Sequence, residues 1–408
     1  GDHRDLHSFP TRRSSDLSRF GRPNNGSPAI AHPDLFAAGR TTGTVGTLNL
    51  GSNKTIYSAY GNGGFRRGTL FVDGQRNIAL RNLKFRELWE WDDATQGQYD
   101  RNGWDYLVLQ STAGPGTSIA ARAHHLWIDH CDFEKSYDGT VDIVRGADLV
   151  TVSWTKFGGV VSGESVRWLR RQLDFLEANR SRYPYYNFLR ARRSVDEIFA
   201  RERFQQKSNL VGNSTDATIR AYDLGHLNVT FHHNWYRHVD QRMPRMRFGN
   251  AHVFNLLAES TAGLGVFDLT LAGVAATSGA AVRLENSVFV DVQLPVNPQI
   301  GVEPPGYITV LGSANLDGAT LRDRGFDPVR TVPLTEFRWN PPAAETGLGA
   351  WPQADSAVMP AGYVRPGATL GDYLDHRDTL EANLAHVGIL VPADEAEAAL
   401  LRARWQTA

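Results

Sequence analysis

Five acids fall between Asp129 and Asp142: Asp129, Asp132, Glu134, Asp138 and Asp142, with Lys135 the one lysine or arginine among them. Carboxylates gathered around an Asp138-Gly139 bend suit a hard cation, because calcium takes several oxygen ligands and tolerates irregular geometry. The stretch is not an EF-hand, since no glycine stands at the sixth loop place from Asp129. By spacing alone, a polar turn at Asp138-Gly139 accounts for the same residues at least as well. A second group is QRMPRMRFG, with Arg242, Arg245 and Arg247. Strand alternation after the turn set by Pro244 puts Arg245 and Arg247 on one face. Guanidinium forks of this kind grip carboxylate or phosphate, so a small site for an anionic polymer is the sharper reading. His124, His125, His130, His232 and His233 cluster near Cys131. No spacing among them matches a closed zinc site, and hydrogen-bonded strand residues are expected instead.

The chain that must position these groups has 408 residues, with 43 Lys plus Arg against 44 Asp plus Glu and a net charge of -1. One cysteine, Cys131, excludes an intrachain disulfide framework. Near-neutral charge gives no global case for nucleic acid or an anionic membrane, and neither is expected as a partner. The least polar window, Ala262 to Val282, contains Asp268 and is rich in Gly, Ala, Ser and Thr, too weak for a membrane span. Gly1 to Leu17 (GDHRDLHSFPTRRSSDL) lacks the apolar core of a secretory signal. It resembles the conceptual translation of a sequencing adapter. The native beginning is therefore expected to be missing, and this end says nothing about compartment.

Eight-residue windows recur with one apolar grammar: Ile78 to Phe85, Leu126 to Phe133, Val150 to Phe157, Val229 to Tyr236 and Val282 to Phe289. Each has an aliphatic first residue, an apolar third and an aromatic eighth, with strand-like alternation over the first three. The steps from Leu126 to Val150 and from Val229 to Ala251 are 24 and 22 residues, and Ile78 to Leu126 is a doubled step of 48. That is the period of a solenoid coil, and helical repeats of about 33 to 47 residues do not fit it. With Asn82, Asn255 and Asn286 near the turns, the pattern predicts an all-β parallel β-helix. Its core would be a stack of like side chains. The alternative, a β-sandwich, would not keep an eight-place template.

One interruption breaks the template. Val150 to Val229 spans 79 residues, and the excess near Gly163 to Phe204 has helical spacing at Val166, Leu169, Leu173 and Leu176. A second run, SVDEIFARERF, follows a Tyr/Pro-rich turn at Tyr183 to Tyr186. A helical hairpin inserted between coils is expected over 163–206, carrying ten Arg against six acids. It reads as a solvated cover in preference to a substrate-binding wall, and its removal is expected to leave a soluble solenoid. After Val290 the template fades into loops, and DTLEANLAHVGIL and DEAEAALLRARW read as terminal helices that cap or pack on the solenoid. Residues 18–408 are thus expected to form a single domain.

The windows SNKTI, LRNLKF, WIDHCDF, DGTVDI, VTVSW, KSNLVGNS, VTFHHNWY and QRMPRMRFGNAHVFN, in this order from Ser52 to Asn255, resemble pectate lyases of the pectate lyase/pectin lyase superfamily. The resemblance implies a right-handed parallel β-helix and calcium-assisted β-elimination of polygalacturonate by a secreted, monomeric enzyme. Residue by residue, it implies Asp129, Asp138 and Asp142 as calcium ligands. It further implies Arg242 as the base, Lys207 as a catalytic and substrate-binding cation, and Arg247 as a binder of the substrate carboxylate. The lead into Lys207, Phe204-Gln205-Gln206, departs from the family's acidic and His-containing pattern. Two rivals are a calcium-independent pectin lyase, which would lack the acid trio, and a non-catalytic polysaccharide-binding β-helix, which would have lost the Arg/Lys set.

Overall fold

The computed structural model of the chain describes residues 21–23, 44–59, 63–99, 103–112, 114, 117–160, 163–260 and 271–347. The stretch 1–17 and the expected terminal helices lie outside the described residues. Three sheets run along the molecule, two of eight strands and one of nine, and each coil adds one strand to each. All neighbours are parallel except the short Gly21–Pro23, which pairs antiparallel at one end. The architecture is a parallel β-helix. One coil contributes His124–Asp129 to the first sheet, Asp132–Phe133 to the second and Val141–Ile143 to the third. The next supplies Asp148–Ser153, Lys156–Gly158 and Asn209–Val211, and the next again Asn228–His232, Trp235–Arg237 and Arg245–Arg247.

The repeated windows stack place for place. Ile78 pairs with Leu126, Leu126 with Val150, and Val150 with Val229. Their first and third side chains fill the central core because strand alternation turns both inward. The aromatic eighth places form a column inside the second sheet. Phe85 and Phe133 lie 4.3 Å apart, Phe133 and Phe157 5.2 Å, and Phe157 and Tyr236 4.9 Å, all with nearly parallel rings. Between the first and second sheets, in the seven coils from Arg76 on, the chain turns a two-residue corner whose first residue is left-handed: Asn82, His130, Trp154, His233, Asn255, Asn286 and Gly312. His130 and His233 thus belong to a corner stack, where Trp154 lies between them, 4.2 Å from His233. The solenoid also continues past Val290, through Leu294–Asn297, Tyr307–Leu311 and Ala314–Leu316. Ile308 and Val310 keep the apolar places, but the eighth place, paired with Phe289, is Asn315, which hid this coil from the template.

The insertion holds three helices rather than a hairpin: α1 (Gly163–Ala178), α2 (Pro184–Arg190) and α3 (Val195–Glu202). The Tyr/Pro-rich segment is itself α2, because proline at the first helical position presets the backbone and forfeits no hydrogen bond. A capping box between Ser194 and Glu197 starts α3. Nor is the insertion a loose cover. Trp168, Leu169, Leu173 and Leu176 of α1, with Tyr183, Tyr186 and Ile198, close over Trp89, Trp91, Tyr99 and Tyr137 in a second apolar core. Replacing residues 163–202 by a Gly/Ser linker would strip that cover from four large aromatic rings. We expect the shortened chain to aggregate or to bind a hydrophobic dye strongly, measured by size-exclusion chromatography and dye fluorescence. A monodisperse, dye-silent product would return the insertion to the role of a dispensable cover.

Candidate active site

The connections from second to third sheet lie one above another in successive coils, and they carry the candidate site residues Lys207 and Arg242 and the expected ligand Asp138. They are residues 87–106, 134–140, 159–208 and 238–244. Counted back from the pairs Leu107–Val141 and Val141–Asn209, Asp105 stands beside Gly139 and Gly139 beside Lys207. Lys207 then pairs with Gln241. From that pair to Leu210–Arg245 the later strand has one residue more than its partner. Arg242 lies in this one-residue excess, in a left-handed conformation with φ of 70°. A bulge of this kind re-aims a side chain, here toward the neighbouring connections.

Asp105, Asp138 and Asp142 form the acidic half of the site. Asp142 projects outward from its strand because Val141 and Ile143 on either side are core residues. Asp105 Oδ1 accepts the Gly139 N–H at 2.6 Å. A side chain at position 139 would put its Cβ 2.6 Å from Asp142 Oδ1 and 2.7 Å from Asp105 Oδ1, so glycine keeps open the cradle those two oxygens share. Burial, then the charge of Asp138, pushes the Asp105 carboxyl up to about 7. Burial and the charges of Asp105 and Asp138 drive Asp142 well above the usual carboxylate range. Asp142 Oδ1 is enclosed with no hydrogen-bond partner. Such crowding of carboxylates calls for positive charge.

Part of that charge comes from Lys207, whose Nζ donates to Asp138 Oδ1 and to the Tyr99 carbonyl, both at 2.7 Å. Arg242 Nη1 stands 3.9 Å from the same Asp138 oxygen, too far for a hydrogen bond. Gln205, in the unorthodox lead, ties two connections together by accepting from the Ser136 N–H and donating to the Asp138 carbonyl. The insertion reaches the site as well. Glu202, closing α3, accepts from the Tyr99 hydroxyl at 3.0 Å and from Lys135 Nζ at 3.2 Å. It thereby helps to hold the residue whose carbonyl receives Lys207.

Two expected residues are placed differently. Asp129 is not brought to the acid cluster. As the fourth place of its window it sits on the outer face of the first sheet, where its carboxylate takes bonds from Arg81 at 2.8 Å and Ser153 Oγ at 2.6 Å and lies 2.7 Å from His130 Nδ1. Asp142 projects from the third sheet instead. Burial opposes ionisation of Asp129, but these partners hold its carboxyl below the ordinary value. The acid that joins Asp138 and Asp142 is Asp105, overlooked in the sequence although it stands just before the alternating strand Leu107–Gln110, as Asp138 stands before Val141–Ile143. Arg247 shares a strand face with Arg245 as expected, yet both already hold a carboxylate. Glu303 accepts from Arg247 at 2.7 and 3.0 Å, from Arg245 at 2.6 Å and from Thr277 at 2.5 Å. Burial opposes ionisation of Glu303, but these bonds hold its carboxyl at about 2.

A family profile for pectate lyases matches residues 42–164 and 200–297. The chain is 36% identical over 307 residues to a pectate lyase B of Paenibacillus amylolyticus, spanning 70% of this chain and 73% of that protein. The chain belongs to the pectate lyase family. It is therefore an enzyme, a lyase. A solved pectate lyase structure from Paenibacillus sp. 0602 superposes with a TM-score of 0.63 at 33% identity, over 82% of this chain and 77% of that one. A pectate trisaccharide-lyase of Thermotoga maritima is 30% identical over 188 residues, which is 46% of this chain and 35% of that one. The gap in the family match, 165–199, falls within the three inserted helices of this lyase.

The two aspartates give opposite expectations. Asp129→Asn leaves Arg81 and His130 short of a partner and is expected to cost about 3–5 kcal/mol of stability. It should leave unchanged any calcium requirement of the activity. Asp105→Asn should raise that requirement with a smaller effect on stability. Chemical denaturation and calcium titration of activity read the two apart; a shifted calcium requirement in the Asp129 variant would restore it to the site.

Proposed function

We propose that this lyase cleaves polygalacturonate by calcium-assisted β-elimination, releasing oligogalacturonides with a 4,5-unsaturated end. The observation that carries the reading is the convergence of Asp105, Asp138 and Asp142 beside Lys207 and Arg242. The donor set fits calcium: three carboxylates, all oxygen, with one enclosed oxygen unpartnered. Among the described residues no three such side chains already surround one point closely enough to hold an ion, and Asp138 is engaged by Lys207. Asp105, Asp138 and Asp142 would hold the cation, which supplies positive charge against the uronate carboxylate and so acidifies the neighbouring C5–H.

The remaining work falls to the chain's own cations. In the elimination the C5–H bond breaks with its proton passing to the base, its electrons form the C4=C5 double bond, and the C4–O4 bond breaks as O4 leaves and takes a proton from water. Lys207, fixed from two sides, would hold the substrate carboxylate while negative charge spreads onto it. Arg242 is assigned the C5 proton, which its side chain can accept only as the neutral guanidine, becoming guanidinium. Its Nε is buried without a hydrogen-bond partner, and among the described residues Asp138 at 3.9 Å is its one ion-pair contact. Arg247 keeps its affinity for carboxylates, but Glu303 would have to yield before a substrate could use it. A calcium-independent pectin lyase would have no use for the acid cluster. A polymeric substrate meets the enzyme outside the cell, which supports secretion, and no helix among the described residues is long and apolar enough to cross a membrane.

Ultraviolet absorbance of unsaturated uronates, formed from polygalacturonate with and without a chelator, tests the reaction. Activity should vanish in excess chelator, and Asp142→Ala should be inactive at low calcium because ligand count and charge fall together. Undiminished turnover in chelator would move the reading to pectin lyase. Arg242→Lys keeps the charge and loses the planar fork. We expect it to bind oligogalacturonate normally with turnover nearly abolished, the signature of a group needed in the transition state. Near-normal turnover in steady-state kinetics would take the proton transfer away from Arg242.

A further inference from the structure

The inserted helices carry an aromatic stripe that begins beside the site. Tyr185 stacks on Trp91 with ring centroids 5.8 Å apart and planes 19° apart, and Phe188 stacks on Tyr185 at 6.2 Å and 17°. Arg192 then lies over the Phe188 ring, its guanidinium carbon 3.7 Å from the centroid. Spacing of three and four residues sets Tyr185, Phe188 and Arg192 along one side of α2 and the turn after it. The inner end is tied to the catalytic lysine: Tyr185 packs against Gly97, whose carbonyl accepts the Gln206 amide at 2.6 Å, one residue before Lys207. Arg182 lies nearby in the turn before α2.

The outer end of the stripe has unused binding capacity. Arg170, Arg180, Arg190, Arg193 and Arg201 of the insertion are each ion-paired. Arg192 is exposed and has no carboxylate partner among the described residues, yet its position is set. Its Nη1 donates to the Phe188 carbonyl at 3.1 Å and the ring backs its plane. An arginine held flat in this way loses little freedom when a carboxylate meets its remaining N–H edge. Phe188, half exposed, spends an aromatic ring on this support where a helix surface would ordinarily be polar.

We propose that Arg192, backed by Phe188, is a distal subsite for a uronate carboxylate of the polymer, reached by chains that extend beyond the cleavage site along the Tyr185 stripe. This rests on the reading that polygalacturonate is the substrate. It assigns the insertion, most of which the family match omits, a role in preferring long substrates.

The test compares polygalacturonate with trigalacturonate for the enzyme with calcium, in the unsubstituted chain and in Arg192→Ala and Phe188→Ala. Both positions are exposed, so both variants should fold, which circular dichroism checks. For the polymer, KM should rise about three- to tenfold with kcat unchanged, the loss of one charge-assisted contact. For the trimer neither constant should move, and Arg192→Lys should recover part of the polymer KM. An unchanged polymer KM in both variants, or an equal rise on the trimer, overturns the subsite while leaving the reaction intact. If the native chain releases no unsaturated product from either substrate, the reaction itself fails and the subsite with it, an outcome visible before any substitution is made.

Discussion

Coil-to-coil hydrogen bonding is the constraint on which the rest depends. Parallel pairing locks each coil onto the next at one strand spacing, about 4.8 Å. Residues far apart in sequence thereby become neighbours at a fixed register. Asp105 is set beside Gly139, and Gly139 beside Lys207, because the strands just after them are paired. A cluster of three carboxylates would spread apart on flexible loops. Here each loop is anchored at both ends by a strand that cannot slip without turning its core side chains outward. The sheets supply the geometry, and the energetic strain of gathered charge is left for cations to relieve.

The same constraint explains what could be read from the residues and what could not. The period of the windows and the inward-facing places were visible because they answer to the core, which repeats. The coil closing on Asn315 was hidden, since its eighth place had lost the aromatic that marked the others. Asp129 read as a ligand through the resemblance of its Trp-Ile-Asp-His window, yet it lies on a different sheet from Asp142, paired with Arg81 and beside His130. Asp105 is further away in sequence and nearer in space. Distance along a solenoid is set by register, which no local spacing rule encodes. The Arg247–Glu303 pairing was equally invisible, since it joins a strand to a loop 56 residues later.

The insertion shows how a solenoid adds function without altering its core. Its helices enter and leave through one connection and bury their apolar faces on aromatic residues of the connection at 87–106, so the central stack is left untouched. The ion pairs at its closing turn, Glu202 with Lys135 and Arg201 with Asp240, bind it to the two connections that bracket Lys207. Asp240 lies two residues before Arg242, so the added helices and the arginine proposed as base share a support.

The two-residue corner between the first and second sheets has the opposite character. From Asn82 to Gly312 it keeps one length and one left-handed residue, and in the middle coils the rings of His130, Trp154 and His233 stack on each other. An extra residue there would break the column and push two sheets out of step at once. Variation in chain length is therefore channelled to the connections that carry the site. Over evolutionary time, the fold admits new segments at the place where they can meet substrate and refuses them at the place where they would only cost stability.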